Sequence, residues 1–312
     1  MAQIKVANPA DVTLWQSNFI TSARYEMTAL EKNIIYMVMA QLKKGDTPET
    51  IYIVSGTELM HSTGKDISYA DLKKASGKLI SRLLEGIDHE GNYAQTAFIS
   101  SAKYITGKGL IEITLSPVIR PHFLELKEKF TTFQLDIALS LTSIYSKRLY
   151  EILSMYKNYK DKNFRISLKE LKERLGLISA TSGDKYSNFS HFKSAVLDPA
   201  EREINGDSDI YFSYNTLEGA KYGKGRRPIE QLEFKVMYKN KADMAVGYEE
   251  DNKPVYDRLI NDFALRKDQA QEIINKFSKS EINKNLYDIH VARMNGKVGN
   301  IGAYTATIFK VK

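Results

Sequence analysis

The chain reads as an α+β protein in which one supersecondary pattern occurs twice. Three observations predict this. Residues 139 to 238 carry a long helical run, a short strand, a short helix, a turn, a second amphipathic helix and a strand hairpin. The same order, more faintly written, precedes it, and helical patterns alone follow residue 254. Strand, helix, turn, helix and hairpin in that order make the winged-helix form of helix-turn-helix. The predicted architecture is therefore two tandem winged-helix domains, 1–138 and 139–242, with a linker and helical C-terminal extension over 243–312. A length of 312 residues leaves room for two cores and an appendage.

In the first copy, Thr28 and Glu31 have the spacing of a capping box, in which each side chain satisfies a backbone amide of the other's turn. The helix they open, LEKNIIYMVMAQLKK, is apolar on nearly every side, so it must be buried or shared with a partner chain. A strand at Ile51 to Val54, a short helix TELMHS and a turn at Gly64 follow. The next helix is predicted from Ser68 to Glu85, with Tyr69, Leu72, Ser76, Leu79, Ile80 and Leu83 on one face. Lys74 and Lys78 then point outward, with Lys73 and Arg82 on the flanks. QTAFISSAKYI and LIEITLS enclose the turn TGKG as a hairpin, and Ser116 with Pro117 is expected to cap a short helix.

The second copy opens with the helix SLTSIYSKRLYEILSMYKN and the strand Phe164 to Ile166. Ser167 and Glu170 repeat the capping-box spacing, and Gly176 supplies the usual helix stop. A helix from about Ser187 to Ile204 and a hairpin over 209–238 complete it. The acidic, turn-rich MAVGYEEDNKP reads as a linker. VYDRLINDFALRKDQAQEIINKF and SEINKNLYDIHVARMNG are helical patterns, and GNIGAYTATIFKVK ends the chain.

The net charge of +7 favours a polyanionic partner. The absence of cysteine excludes disulfides, thiolate metal sites and cysteine nucleophiles. The start MAQIKVANPADVTLW lacks a secretory signal pattern, and the apolar run IIYMVMA falls far short of the roughly 20 residues of a membrane span. A cytoplasmic protein without membrane contact is expected. The segments TGKD at 63 and NGKV at 295 are not P-loops, and His61, His89, His122, His191 and His290 are scattered without a paired-ligand spacing. Tyr150 and Tyr156, the tyrosines considered as nucleophiles, lie on an amphipathic helix where packing is the expected role. No cofactor and no enzymatic activity are expected.

The basic features carry more. In the helix from 187 to 204, Phe189, Phe192, Val196, Ala200 and Ile204 share a face. Asn188, His191, Ser194, Asp198 and Arg202 are left outward, with Lys193 at the flank. Short or flexible donors of this kind suit base edges and phosphates, and the early part of such a helix enters the major groove. Asp198 and Glu201 would be repelled by phosphate, which confines the contact to the first half. Asp198-Pro199 threatens a kink. In the hairpin loop GAKYGKGRRP, Lys221, Lys224, Arg226 and Arg227 alternate with Gly219, Gly223 and Gly225, placing cations on a backbone able to approach phosphate. In the first copy Lys74, Lys78, Arg82, Lys103 and Lys108 are candidates for similar contacts; a scaffold or dimer-forming role for that copy is the alternative.

The runs SNFITSARYEMTALEKNIIYMVMAQL, SYADLKKASGKLISRLLE, LTSIYSKRLYEILSMYKN, FRISLKELKERLGL and FKSAVLDPAEREINGDSDIYFSYN resemble the plasmid replication initiator (Rep) proteins of the theta type, over roughly residues 14 to 240. The resemblance implies an origin-binding protein whose two winged helices lie on successive parts of a directly repeated double-stranded DNA site, the iteron. It places the main base contacts on Lys193, Ser194 and their neighbours, with Arg226 and Arg227 on the wing. Some relatives are more basic after the phenylalanine matching Phe192, where this chain has Lys193, Ser194 and Ala195. The resemblance further implies a monomer and dimer equilibrium, repression of its own gene, and recruitment of host replication proteins such as the helicase and the host initiator. A winged-helix transcription regulator and a rolling-circle nicking enzyme are the other readings.

Overall fold

The computed structural model describes residue 9 and residues 12–88, 90–126, 129–157, 163–179, 183–220, 227–239, 253–277, 279–294 and 298–311. The chain divides into two compact units, Met1–Gly56 with Ser68–Lys239, and Thr57–Ile67 with Asn240–Lys312.

Along the chain the predicted order recurs twice, all of it in the first unit except residues 57–63, which fall in the second. The first copy runs through helix α2 (Ala29–Met39), strand β2 (Ile51–Ser55), helices α3 (Gly56–Thr63) and α4 (Tyr69–Leu79), and strands β5 (Ile99–Ile105) and β6 (Leu110–Leu115). The second runs through α7 (Ile144–Tyr156), β8 (Asn163–Ser167), α8 (Leu168–Arg174), a hairpin of the two-residue strands β9 (Ile178–Ser179) and β10 (Gly183–Asp184), a helical run over 189–207, β11 (Ile210–Glu218) and β12 (Ile229–Tyr238). Both sheets are antiparallel with the same topology, β2-β6-β5 in one and β8-β12-β11 in the other. Identical strand order in two copies establishes the duplication that residue identity alone leaves faint.

Additional elements complete the first unit. Strand β1 (Thr13–Ser17) pairs with β7 (Phe130–Gln134), and a hairpin of β3 (Leu83–Ile87) and β4 (Tyr93–Ala97) follows α4. Short helices α1 (Asn18–Ser22), α5 (Pro121–Leu124) and α6 (Leu135–Ser140) join them. Helix α4 thus ends at Leu79, six residues before the predicted Glu85, because Leu83 to Ile87 pair with β4 instead. Tyr69, Ile80 and Leu83, assigned to the buried face, are exposed, while Leu72, Ala75, Ser76 and Leu79 are buried. Proline opens the short helix as predicted in kind, but at Pro121 rather than Pro117.

The capping box of α2 is complete: Glu31 N–H donates to Thr28 Oγ1 and Thr28 N–H to Glu31 Oε2. Every residue from Glu31 to Met39 is buried, as the apolar pattern requires. At α8 only half the box forms. Ser167 accepts from the Glu170 N–H, but the Glu170 carboxylate turns to Arg174. The stop is a Schellman motif: Gly176 takes φ +68°, its N–H donates to the Glu173 carbonyl, and Leu177 N–H reaches back to Lys172.

The first helices of the two copies meet in a buried polar cluster. Lys32 on α2 and Arg148 on α7 both pair with Glu151, and Tyr25 and Tyr36 donate to the same carboxylate. Arg148 Nη2 also donates to the carbonyls of Thr21, Ala23 and Arg174, so one guanidinium ties the N-terminal segment to the end of α8. Burial pushes the Glu151 carboxyl up, and the two adjacent cations more than reverse this, leaving it below its ordinary range. Burial pulls Lys32 down to about 8 against the opposing pull of Glu151.

The second unit holds α11 (Lys253–Asn261), α12 (Lys267–Lys276), α13 (Lys279–Met294) and α14 (Ile301–Phe309) around Leu259, Ala270, Ile273, Ile282, Leu286, Ile289 and Phe309. The single helical pattern predicted over 255–277 is broken between α11 and α12, where Ala264 has φ +52°. The terminal run, unassigned from sequence, is α14, capped by Asn300. No described helix is long and apolar enough to cross a membrane.

Candidate nucleic-acid interface

The second copy builds its exposed face on a firmly seated helix. The predicted single helix is three segments in one continuous run: α9 (Phe189–Phe192), a π-helical turn (Lys193–Leu197) and α10 (Asp198–Asp207). Pro199 explains the turn. Proline has no N–H for the preceding turn and its ring would crowd the carbonyl four residues back. The chain widens instead of breaking, and Asp198 N–H bonds to the Lys193 carbonyl five residues earlier. The expected kink is thus absorbed without splitting the helix.

Phe192, Val196, Leu197, Ala200 and Ile204 are buried, and α10 packs on α7 and β11. Asn205 ties α10 to β11 through both backbone groups of Phe212. The Lys239 ammonium donates to the carbonyls of Asn205 and Gly206, where a helix C-terminus carries partial negative charge. At the other end, Lys172 Nζ reaches Asp184 Oδ2 and the Tyr186 carbonyl and lies over the Phe192 ring, pinning the turn to the start of the helix. Truncating a buried phenylalanine such as Phe192 costs about 3–5 kcal/mol. An exposed ion pair contributes about 0–1 kcal/mol. Core packing therefore fixes the helix, and its surface pairs are free to exchange.

Asn188, His191, Lys193, Ser194 and Arg202 are all exposed on this run, as predicted. The π turn widens the face to include Ala195 beside Lys193 and Ser194. Three of these groups already have partners, among them Ser194, whose Oγ donates to the His191 carbonyl. Asn188 is the N-cap of α9, its Oδ1 accepting from Ser190 N–H, and Lys193 donates to Asp198. That hydrogen bond raises the Lys193 pKa, keeping the ammonium charged. Sequence reasoning missed Tyr214 on β11, whose phenol is raised by burial and pulled down by the nearby Lys193 ammonium, and Lys185 in the turn, which donates to Tyr145 and lies over the Tyr145 and Tyr186 rings. Strand register alone brings Tyr214 to the helix, and no local pattern signals it.

The wing is the β11–β12 hairpin, closed at its tip by Gly219 N–H donating to the Pro228 carbonyl. Arg227 is described and exposed. Lys221, Lys224 and Arg226 lie outside the described residues. In the first copy Lys74, Lys78 and Lys108 are exposed, and Lys103, also exposed, pairs across the hairpin with Glu112. Arg82 is placed differently from the prediction. It lies past the end of α4 and grips the buried Glu31 through Nε and Nη2, so its charge is committed to the capping box of α2. Tyr150 is buried and donates to Asp209, and burial holds its phenol well above the ordinary value. Tyr156 stacks on Phe164. Both tyrosines have packing roles.

The geometry agrees with what the chain is similar to. The PI protein of Escherichia coli is 35% identical over 140 residues, which span 42% of this chain and 45% of that protein. A solved structure described as the Pi initiator protein in complex with iteron DNA superposes over 75% of this chain and all of its own, with a TM-score of 0.62 and 22% identity. The family model for the first winged helix of initiator replication proteins matches residues 13–154, and that for the second winged helix matches residues 167–236. With both winged helices matched in order and each built as described above, the chain belongs to the initiator Rep protein family.

Proposed function

We propose that this chain initiates plasmid replication by binding directly repeated double-stranded DNA, the iterons, at the plasmid origin. The observation that carries the reading is the second winged helix. A helix locked by its apolar face presents His191, Lys193, Ser194, Ala195 and Arg202 to solvent, and Arg227 of the following hairpin is exposed as well. Side chains of the helix read base edges in the major groove, while Arg226, Arg227, Lys221 and Lys224 of the wing hold phosphates. The first winged helix lies on the adjoining part of the repeat through Lys74, Lys78, Lys103 and Lys108. Arg82 is left out of this contact because Glu31 holds it.

The protein acts by binding alone, without a cofactor, in the bacterial cytoplasm. It opens the origin, recruits the host helicase and host initiator, and represses its own gene as a dimer. The likeness to the PI protein and to the iteron-bound initiator supports the DNA partner.

The test uses a plasmid carrying the gene's flanking DNA but lacking the gene. Supplying the protein in trans should maintain that plasmid, and footprinting should protect tandem direct repeats. Protection of only a single inverted repeat at a promoter, with no plasmid maintenance, would make the chain a transcription regulator instead.

A further inference from the structure

Among the acidic groups on the 189–207 run, one sits beside a cation of the exposed face and has no role in phosphate binding. Asp198 opens α10, and its carboxylate accepts a hydrogen bond from the Lys193 ammonium. The π turn makes this pair. In an α-helix, with about 100° per residue, positions five apart would point about 140° away from each other. The wider turn brings the two residues near one another, and the Asp198 N–H bonds to the Lys193 carbonyl. Both side chains remain open to solvent, at 47% and 38% exposure. Tyr214 from β11 lies near the same ammonium, and Glu201 adds a second negative charge nearby.

For phosphate binding this arrangement is unfavourable. The carboxylate repels the DNA backbone and neutralises a cation on the reading face. What the pair offers is a donor beside an acceptor. A C·G base pair presents the complement in the major groove, where guanine O6 accepts from an ammonium and the cytosine N4 amino group donates to a carboxylate. We propose that Asp198 is a specificity-determining residue: the Lys193–Asp198 pair reads one C·G base pair as a unit, and Asp198 disfavours DNA that brings no amino group to it. The inference rests on the 189–207 run being the reading helix.

The experiment uses the full chain and the duplex it selects from a randomised pool. That duplex, a set with each base pair changed in turn, and a scrambled control are titrated by fluorescence anisotropy across a salt series. Asp198→Asn should raise affinity for the scrambled duplex by about threefold to tenfold and steepen its log–log salt slope by about 0.9. Affinity for the selected duplex should not rise, and the preference at one C·G position should disappear. In a Lys193→Gln background the gain on scrambled DNA should vanish. A uniform gain on every duplex with all base preferences intact overturns the inference, as does an equal gain in the Lys193→Gln background. If His191→Ala and Ser194→Ala still weaken binding to the selected duplex, that failure belongs to the Asp198 inference alone. If they too leave binding unchanged, the reading helix is misassigned and the inference falls with it.

Discussion

At the residue scale, burial and partners separate charges that look alike in sequence. Arg82 and Arg227 are both arginines in basic segments. Arg82 donates twice to the buried Glu31 carboxylate, whereas Arg227 stands exposed at the wing. Arg82→Gln leaves that carboxylate without its cation and should lower unfolding stability by roughly 1–3 kcal/mol in urea denaturation, with the salt slope of DNA binding unchanged. A shallower slope at full stability would put Arg82 in the interface after all. Arg226→Ala with Arg227→Ala should do the reverse. Stability is retained, affinity falls alike on specific and random DNA, and the slope becomes shallower by up to about 0.9 per lost phosphate contact. An unchanged slope would remove the wing from the contact. Leu79, Ile80 and Leu83 keep helical spacing past the true helix end, which is why the sequence places Arg82 on a helix flank; its partner Glu31 lies 51 residues away, beyond any local signal.

At the scale of elements, the legible parts were those written in local chemistry. Caps at Thr28 and Ser167, the stop at Gly176 and the buried positions 192, 196, 200 and 204 follow from neighbours in sequence. Gly176 gives a direct check. Its φ of +68° is left-handed, and an added Cβ would lie 2.5 Å from the Tyr25 carbonyl oxygen. Gly176→Ala should cost about 1–3 kcal/mol in thermal or urea unfolding, and a neutral substitution would contradict this stop. Strands β1 and β7 were not legible, because Thr13 pairs with Gln134 across most of the first copy. The β3–β4 hairpin was hidden for a different reason: Leu83 to Ile87 continue the pattern of the preceding helix, and their strand state depends on pairing with Tyr93 to Ala97. The π turn is intermediate. Asp198-Pro199 marked a disturbance, but whether the helix broke or widened depended on the buried faces on both sides of it.

At the scale of the first unit, Lys32, Arg148 and Glu151 join the first helices of both winged helices, an arrangement that hydropathy alone does not reveal. The folded Lys32 titrates at about 8 against 10.5 when unperturbed. Between those values the unfolded chain binds more protons, so this residue's contribution to stability rises with pH. Above about 10 the raised phenols of Tyr25 and Tyr36 act in the opposite sense. Denaturation at pH 8 and 9.5 should therefore show a stability difference between wild type and Lys32→Met that shifts toward wild type by on the order of 1 kcal/mol. No shift would mean that Lys32 keeps an ordinary lysine affinity for its proton, and so its charge, in the folded state.

The central claim is that two winged helices in one chain recognise a repeated origin sequence, the second reading its bases. Its most direct test is the ratio of dissociation constants for the direct repeat beside the gene and for a scrambled duplex, measured at near-physiological salt. A ratio of about 10³ or more is predicted, falling sharply in Ser194→Ala and Lys193→Gln. A ratio near one, unaffected by either substitution, would contradict it.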